Sequence, residues 1–294
     1  MRIGSYTLRT QAPISAPIAA VLIGGSILAA PVMAAASPAD RYYERSFVLA
    51  ASARCGLFQP QLTAALTAAT WQARGAALRA GGNERDLAEA AGRARARAAA
   101  TPCDSQDLKT VGGRVRAAFA GWSRTARMVF PGERAGWTAD RAAYARPTWR
   151  LMQGTVTGAS PVRFGVVGGL NRPDQMTAVV SWRGRSRPTG ARIVMRDSTV
   201  ATRPWLAREL PPPAQRRSVW ASGVTAADEG LLVKGRTAGQ AWVFPATAAD
   251  ALSTLDPREV FTVEFQFRDG SVARSIFEVG DFAAGRAFLS MGQV

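Results

Sequence analysis

Between residues 40 and 130 the apolar positions recur every three or four residues, and beyond residue 148 they alternate in twos. The first period is that of amphipathic helices and the second that of half-buried strands. Tyr43, Phe47, Ala51 and Cys55 stand at four-residue steps on one stripe of a first helix, which Gly56 ends. A second helix opens near Pro60, a residue suited to a first helical turn. It carries Leu62, Leu66, Ala69, Ala73 and Ala77 on one face and stops at Gly81-Gly82. Asn83 is placed to cap a third helix, which ends at Thr101-Pro102. Asp104 or Ser105 caps a fourth, with Leu108, Val111, Val115, Phe119, Trp122 and Ala126 on its stripe. Helices with such short connections predict an antiparallel bundle. The alanine faces of the second and third helices are small enough for close approach.

Pro131-Gly132, Gly136 and Pro147 make 131–148 a connection, with 138–145 compatible with a helical turn. Short strands follow at 149–156, 162–167, 176–182, 191–196, 219–224, 231–234 and 241–244, separated by Gly, Pro, Asn and Asp. A helix at 247–255 precedes two alternating strands, 260–267 and 272–279, joined by an Asp269-Gly270 hairpin turn. Asp281 is placed to cap a terminal helix carrying Phe282, Phe288 and Leu289. The expected fold is α+β. A disulfide-closed helical bundle at 37–130 and the 131–148 connection lead into a β-rich domain at 149–294, an antiparallel sheet or sandwich with one or two short helices.

Cys55 and Cys103 are the only cysteines. One ends the first helix and the other lies between the third and fourth, ends that fall on the same side of an up-down bundle. A structural disulfide is therefore expected. A redox or metal-binding pair would need a Cys-x-x-Cys spacing or a histidine partner. Residues 1–36 explain how such a bond would form. Arg2 and Arg9 precede an apolar run, and Ala34 and Ala36 occupy the small-residue positions of a cleavage site, as in an export signal. An uncleaved anchor is the rival, since the run just reaches spanning length. Pro17 and Gly24-Gly25 interrupt it and favour cleavage, so the expected location is the periplasm or the medium. Past residue 36 no run is apolar enough to span a membrane.

The charge balance narrows the chemistry. The chain carries 37 basic and 21 acidic residues, a net charge of +16, and its only lysines are Lys109 and Lys234. Arginine suits bidentate contact with carboxylates and phosphates, although GC-rich coding alone can produce an Ala- and Arg-rich chain. There is no histidine, which removes His-based triads, the usual zinc sites and the commonest general base. No motif points to a cofactor or a metal, and Gly112-Gly113 and Gly168-Gly169 match no phosphate loop. The acidic pairs Asp228/Glu229, Asp256/Glu259 and Glu264/Glu278 are the one enzymatic route left. Glycan hydrolysis would need two carboxyls facing each other across a cleft.

Recognition has better candidates. Arg85, Glu89, Arg93 and Arg97 follow at four-residue steps and read as a solvated face of mixed charge. The helical half is the more basic, a balance suited to anionic headgroups, polysaccharide phosphates or an acidic protein. The stretch 198–217 combines Arg203, Trp205, Arg208, Pro211-Pro212-Pro213, Arg216 and Arg217 without regular structure. Long loops in compact domains tend to be functional, and Arg203, Trp205, Arg208, Arg216 and Arg217 are its partner-binding candidates. The competing reading folds Trp205 onto the sheet. Of the other tryptophans, Trp71 and Trp122 fall in helix patterns and Trp182, Trp220 and Trp242 in strands. These read as core rather than as a sugar platform, while Trp137 and Trp149 border the connection. An export signal and the lack of basic-aromatic alternation argue against nucleic acid. The expectation is a non-catalytic binding or assembly protein of the cell envelope with an anionic lipid, polysaccharide or acidic protein partner; the alternative is a carboxylate-dependent envelope hydrolase.

Two resemblances bear on location and architecture. Tyr42-Tyr43-Glu44-Arg45, Arg54-Cys55 and Ala73-Arg74-Gly75-Ala76-Ala77-Leu78 resemble segments of uncharacterised exported bacterial proteins. The closing order of strand, helix, hairpin and helix over 241–289 resembles the small β-rich domain of the invasion-associated locus B type, from which it departs by having no cysteine.

Overall fold

The computed structural model describes residues 36–170, 172–184 and 186–294. The expected export signal lies outside them apart from Ala36. Helix α1 (Pro38–Cys55) opens on a capping box, in which the Ser37 hydroxyl accepts from the Asp40 amide and the Asp40 carboxylate accepts from the Ser37 amide. It ends at Gly56, whose φ of 64° places it in the left-handed region that glycine enters without strain. Helix α2 (Pro60–Arg79) starts on Pro60, and α3 (Glu84–Ala100) is capped by Asn83, which accepts from the Asp86 amide at 2.8 Å. Ser105 caps α4 (Gln106–Phe119). Cys55 and Cys103 form a disulfide across a separation of 48 residues. The alanine faces meet differently from expectation: α1 packs against both α2 and α3. Helix α4 stops at Phe119, seven residues short of its expected stripe, and a 3-10 turn at Trp122–Arg124 follows.

The next residues are strands. β1 (Arg127–Phe130) and β2 (Trp137–Asp140) form a hairpin, so 131–148 contains sheet rather than a helical turn. β3 (Thr148–Thr157), β4 (Ser160–Gly169) and β5 (Arg172–Val180) continue as a meander. The chain then crosses to a second sheet for β6 (Gly190–Arg196) and β7 (Arg216–Trp220) and returns for β8 (Gly223–Ala226) and β9 (Gln240–Phe244). After α5 (Thr247–Ser253) come the hairpin β10 (Val260–Gln266) and β11 (Val272–Glu278), and last α6 (Phe282–Leu289). The seven-stranded sheet runs β1-β2-β3-β4-β5-β9-β8 and the four-stranded sheet β11-β10-β6-β7, with antiparallel pairs throughout.

Two expectations fail at the crossover. The stretch 219–224 is two strands in different sheets, and 231–234 is no strand. Leu231 and Leu232 instead lie over Trp149, Val179 and Ala241 as a small separate core, where the Trp149 indole donates to the Leu231 carbonyl at 3.1 Å.

The main core is shared. Phe47 and Leu66 of the helices, Phe130 and Trp137 of the first hairpin, and Phe164, Phe261 and Phe277 of the two sheets belong to one cluster, and residues 36–294 form one compact unit. Phe164 meets Phe261 at 5.1 Å and Phe277 at 5.4 Å between ring centroids, which joins the sheets. Helix α6 joins sheets to helices, packing against α2 on one side and against β1, β2 and β3 on the other. Asp281 precedes it but does not cap it. Its carboxylate takes a bidentate pair from Arg79 of α2 at 2.8 and 3.0 Å. Gly75 makes room for this contact, since a Cβ there would lie 2.0 Å from Asp281 Oδ1. Burial pushes the Asp281 carboxyl up and Arg79 pulls it back.

Candidate functional site

The basic stretch singled out in the sequence is the β6–β7 loop, residues 197–215. A loop of this length costs conformational entropy to order, and it is held from beneath. Arg196, the last residue of β6, is buried and donates to both oxygens of Glu259 at 2.6 and 2.7 Å. It also donates to the Ala201 carbonyl inside the loop. Glu259 in turn accepts the backbone amides of Trp205 at 3.2 Å and Asp256 at 2.9 Å. Burial works to lower the Arg196 pKa, but the Glu259 hydrogen bonds and charge hold it above its ordinary value.

Trp205 is half-buried, and its indole donates to the Glu209 carbonyl at 2.8 Å. It folds into its own loop instead of forming a stacking platform. Arg216 is also turned inward, donating to the Pro211 carbonyl. Arg217 is half-buried, with its charge felt at Asp197. Of the candidates, Arg203 and Arg208 alone are exposed, and neither forms an ion pair with the described residues.

The acidic pairs also have structural partners. Asp256 binds Arg258, whose guanidinium reaches on to the carbonyls of Leu78 and Gly82 at the end of α2. Glu264 is the centre of a row across four strands, Arg274, Glu264, Arg192 and Trp220, in register. Arg192 and Arg274 bond its two oxygens at 2.7 and 2.9 Å, and the Arg192 guanidinium lies 5.3 Å over the Trp220 ring. Burial pushes the Glu264 carboxyl up, but the two guanidiniums bring it below its ordinary range. Glu278 accepts the amides of Arg134 and Ala135. Asp228 bonds the Gly230 amide, and its neighbour Glu229 is exposed at the start of a 3-10 turn.

A rule covers the interior. Among the described residues the five buried acids, Asp140, Asp256, Glu259, Glu264 and Asp281, are each paired with arginine. Buried charges are retained where they are paired and hydrogen-bonded. Arg93, Arg95, Arg203 and Arg208, by contrast, stay exposed and outside any ion pair among the described residues.

One basic feature escaped the sequence reading. A groove of about 430 Å³ opens where the chain leaves β5 for the four-stranded sheet, beside edge strand β8. Arg187, Arg236, Trp182, Gln240 and Thr225 line it. Arginine at every second position from 183 to 187 was the available signal. Arg236, some fifty residues on, gave none.

Among the described residues no group of three or more His, Cys, Asp or Glu is placed to hold a metal ion. No helix there is long and apolar enough to cross a membrane. Comparison with protein-family models, curated proteins and solved structures finds no match to this chain.

Proposed function

We propose that the protein is a non-catalytic binding or assembly component of the cell envelope, exported by its N-terminal segment, which takes an anionic partner on its arginine-rich surface. In this reading the α1–α4 segment is a disulfide-closed bundle and the two sheets form a sandwich behind that surface. The observation that carries it is the pairing of charge: the buried acids of the described residues are matched by arginines, while Arg93, Arg95, Arg203 and Arg208 face solvent outside any ion pair among those residues. Such a surface attracts polyanions over a Debye length and is screened by salt. The disulfide supports an oxidising compartment.

The test is sedimentation of the protein with vesicles of phosphatidylglycerol or of phosphatidylcholine, and capture on immobilised polyglutamate. Salt-sensitive binding to either anionic surface, weakened about tenfold by Arg203→Glu with Arg208→Glu, supports the reading. Equal binding to neutral and anionic surfaces, or binding indifferent to the double variant, overturns it.

A further inference from the structure

We infer that the groove between the β5–β6 loop and strand β8 is a binding site for a compact oxyanion, a phosphate or carboxylate group carried by a small ligand. Two guanidiniums, Arg187 and Arg236, line it, and no acidic side chain does so among the described residues. Inward-turned arginines elsewhere are held by carboxylates, as Arg192, Arg196 and Arg258 are, or by backbone carbonyls, as Arg141 and Arg163 are. Arg236 is of the second kind but leaves its Nε–H without an acceptor.

Arg236 is held from one side. Its Nη2 donates to the carbonyls of Trp182 at 3.0 Å and Ser181 at 3.5 Å, which tethers the guanidinium by one nitrogen. Its Nε–H is buried and has no acceptor. Buried donors are normally paired, so this one marks a place where the protein leaves an acceptor to be supplied. An anion drawn to Arg236 satisfies it with a small turn of the guanidinium. Arg187 is exposed and carries no carboxylate partner among the described residues, leaving its fork free to close on the same group.

The surroundings set the size and firmness of the site. Trp182 is held by Gln240, which accepts from its indole at 3.2 Å, and by the rings of Phe265 and Phe267 at 5.2 and 5.1 Å. The wall carrying Arg187 and Arg236 is thus anchored to both sheets. Val180 and Val224 add apolar surface, and Thr225 supplies a hydroxyl. A volume of about 430 Å³ lies within the range of small-ligand sites, a size that suits a small anion with a short body.

This site is independent of the partner surface proposed above, and its test fails separately. Protein labelled with ¹⁵N-arginine is titrated with inorganic phosphate, and in a second arm with succinate, at ionic strength held constant with sodium chloride. The expected result is a saturable shift of the Arg236 Nε–H resonance in at least one arm. Saturation by phosphate alone identifies a phosphoryl ligand, by succinate alone a carboxylate ligand, and by both the shared oxyanion chemistry. Arg187→Gln, at an exposed position that leaves the fold intact, is expected to weaken binding about tenfold or more. Arg203→Gln with Arg208→Gln is expected to leave it unchanged. A shift that never saturates in either arm, or an affinity indifferent to Arg187→Gln, overturns the inference.

Discussion

Strand β6 is flanked by two arginine-bearing loops that use their charges in opposite ways. The loop after it, residues 197–215, is long and rich in proline, and the chain commits a buried ion pair to holding it: Arg196 and Glu259 reach its backbone at Ala201 and Trp205. The loop before it, residues 181–189, is short; Arg236 donates to its Ser181 and Trp182 carbonyls, and ordinary hydrogen bonds tie it further. The Arg183 amide donates to Ser160 Oγ at 3.0 Å and the Thr189 amide to the Gln266 carbonyl at 2.7 Å. Because the short loop is held by Arg236 from outside it, its own Arg187 is left available. A conspicuous cluster of Arg, Pro and Trp marked the loop that was harder to hold, and a plainer one marked the loop with charge to offer.

The comparison breaks first at Glu259. Glu259→Ala strands a buried guanidinium, and removal of one partner of such a pair costs about 3–5 kcal/mol. Urea unfolding should show that loss, and limited proteolysis should cut within 197–215 and spare 181–189. Equal cutting of both loops would mean that the staple does not distinguish them.

A smaller effect is expected from acid. The Glu264 carboxyl lies below its ordinary value in the folded chain. Its contribution is therefore complete above the unfolded value, about 4.3, and is lost as pH falls through the lowered folded value. Stability of the native chain minus that of Glu264→Gln should shrink over this acid window. A difference that stays flat from neutral pH downward would detach the Arg274–Glu264–Arg192 row from stability.

The smallest effect belongs to the exposed arginines. Arg187→Ala, Arg203→Ala and Arg208→Ala should each change unfolding free energy by no more than about 0.5 kcal/mol. A larger loss at Arg187 would make it a structural residue and erase the contrast between the loops.

Local signals were legible in the sequence and distant ones were not. Ser105 and Asn83 cap helices as their positions indicate, because a cap is decided within four residues. The β10–β11 hairpin follows from strict alternation around Asp269-Gly270. The β1–β2 hairpin was missed because four-residue strands give too little period to read. The Leu231-Leu232 doublet looked like strand but serves as a cover over Trp149. Asp281 has the composition of a helix cap, yet Arg79, 202 residues earlier, claims its carboxylate. Of the five residues proposed for partner contact, Arg203 and Arg208 are exposed, whereas Arg216, Arg217 and Trp205 are half-buried, a difference that composition does not carry.

The placement of α6 has a kinetic consequence. The last helix of the chain fills the space between α2 and the first strands, so neither layer can finish excluding water until it docks. Contacts as distant as Arg79 to Asp281 must close over most of the chain's length before they stabilise anything, and such topologies fold slowly. Gly75 lies on the α2 surface that the start of α6 covers. A side chain there would act as a doorstop in the final docking step, slowing folding more than helix propensity alone predicts.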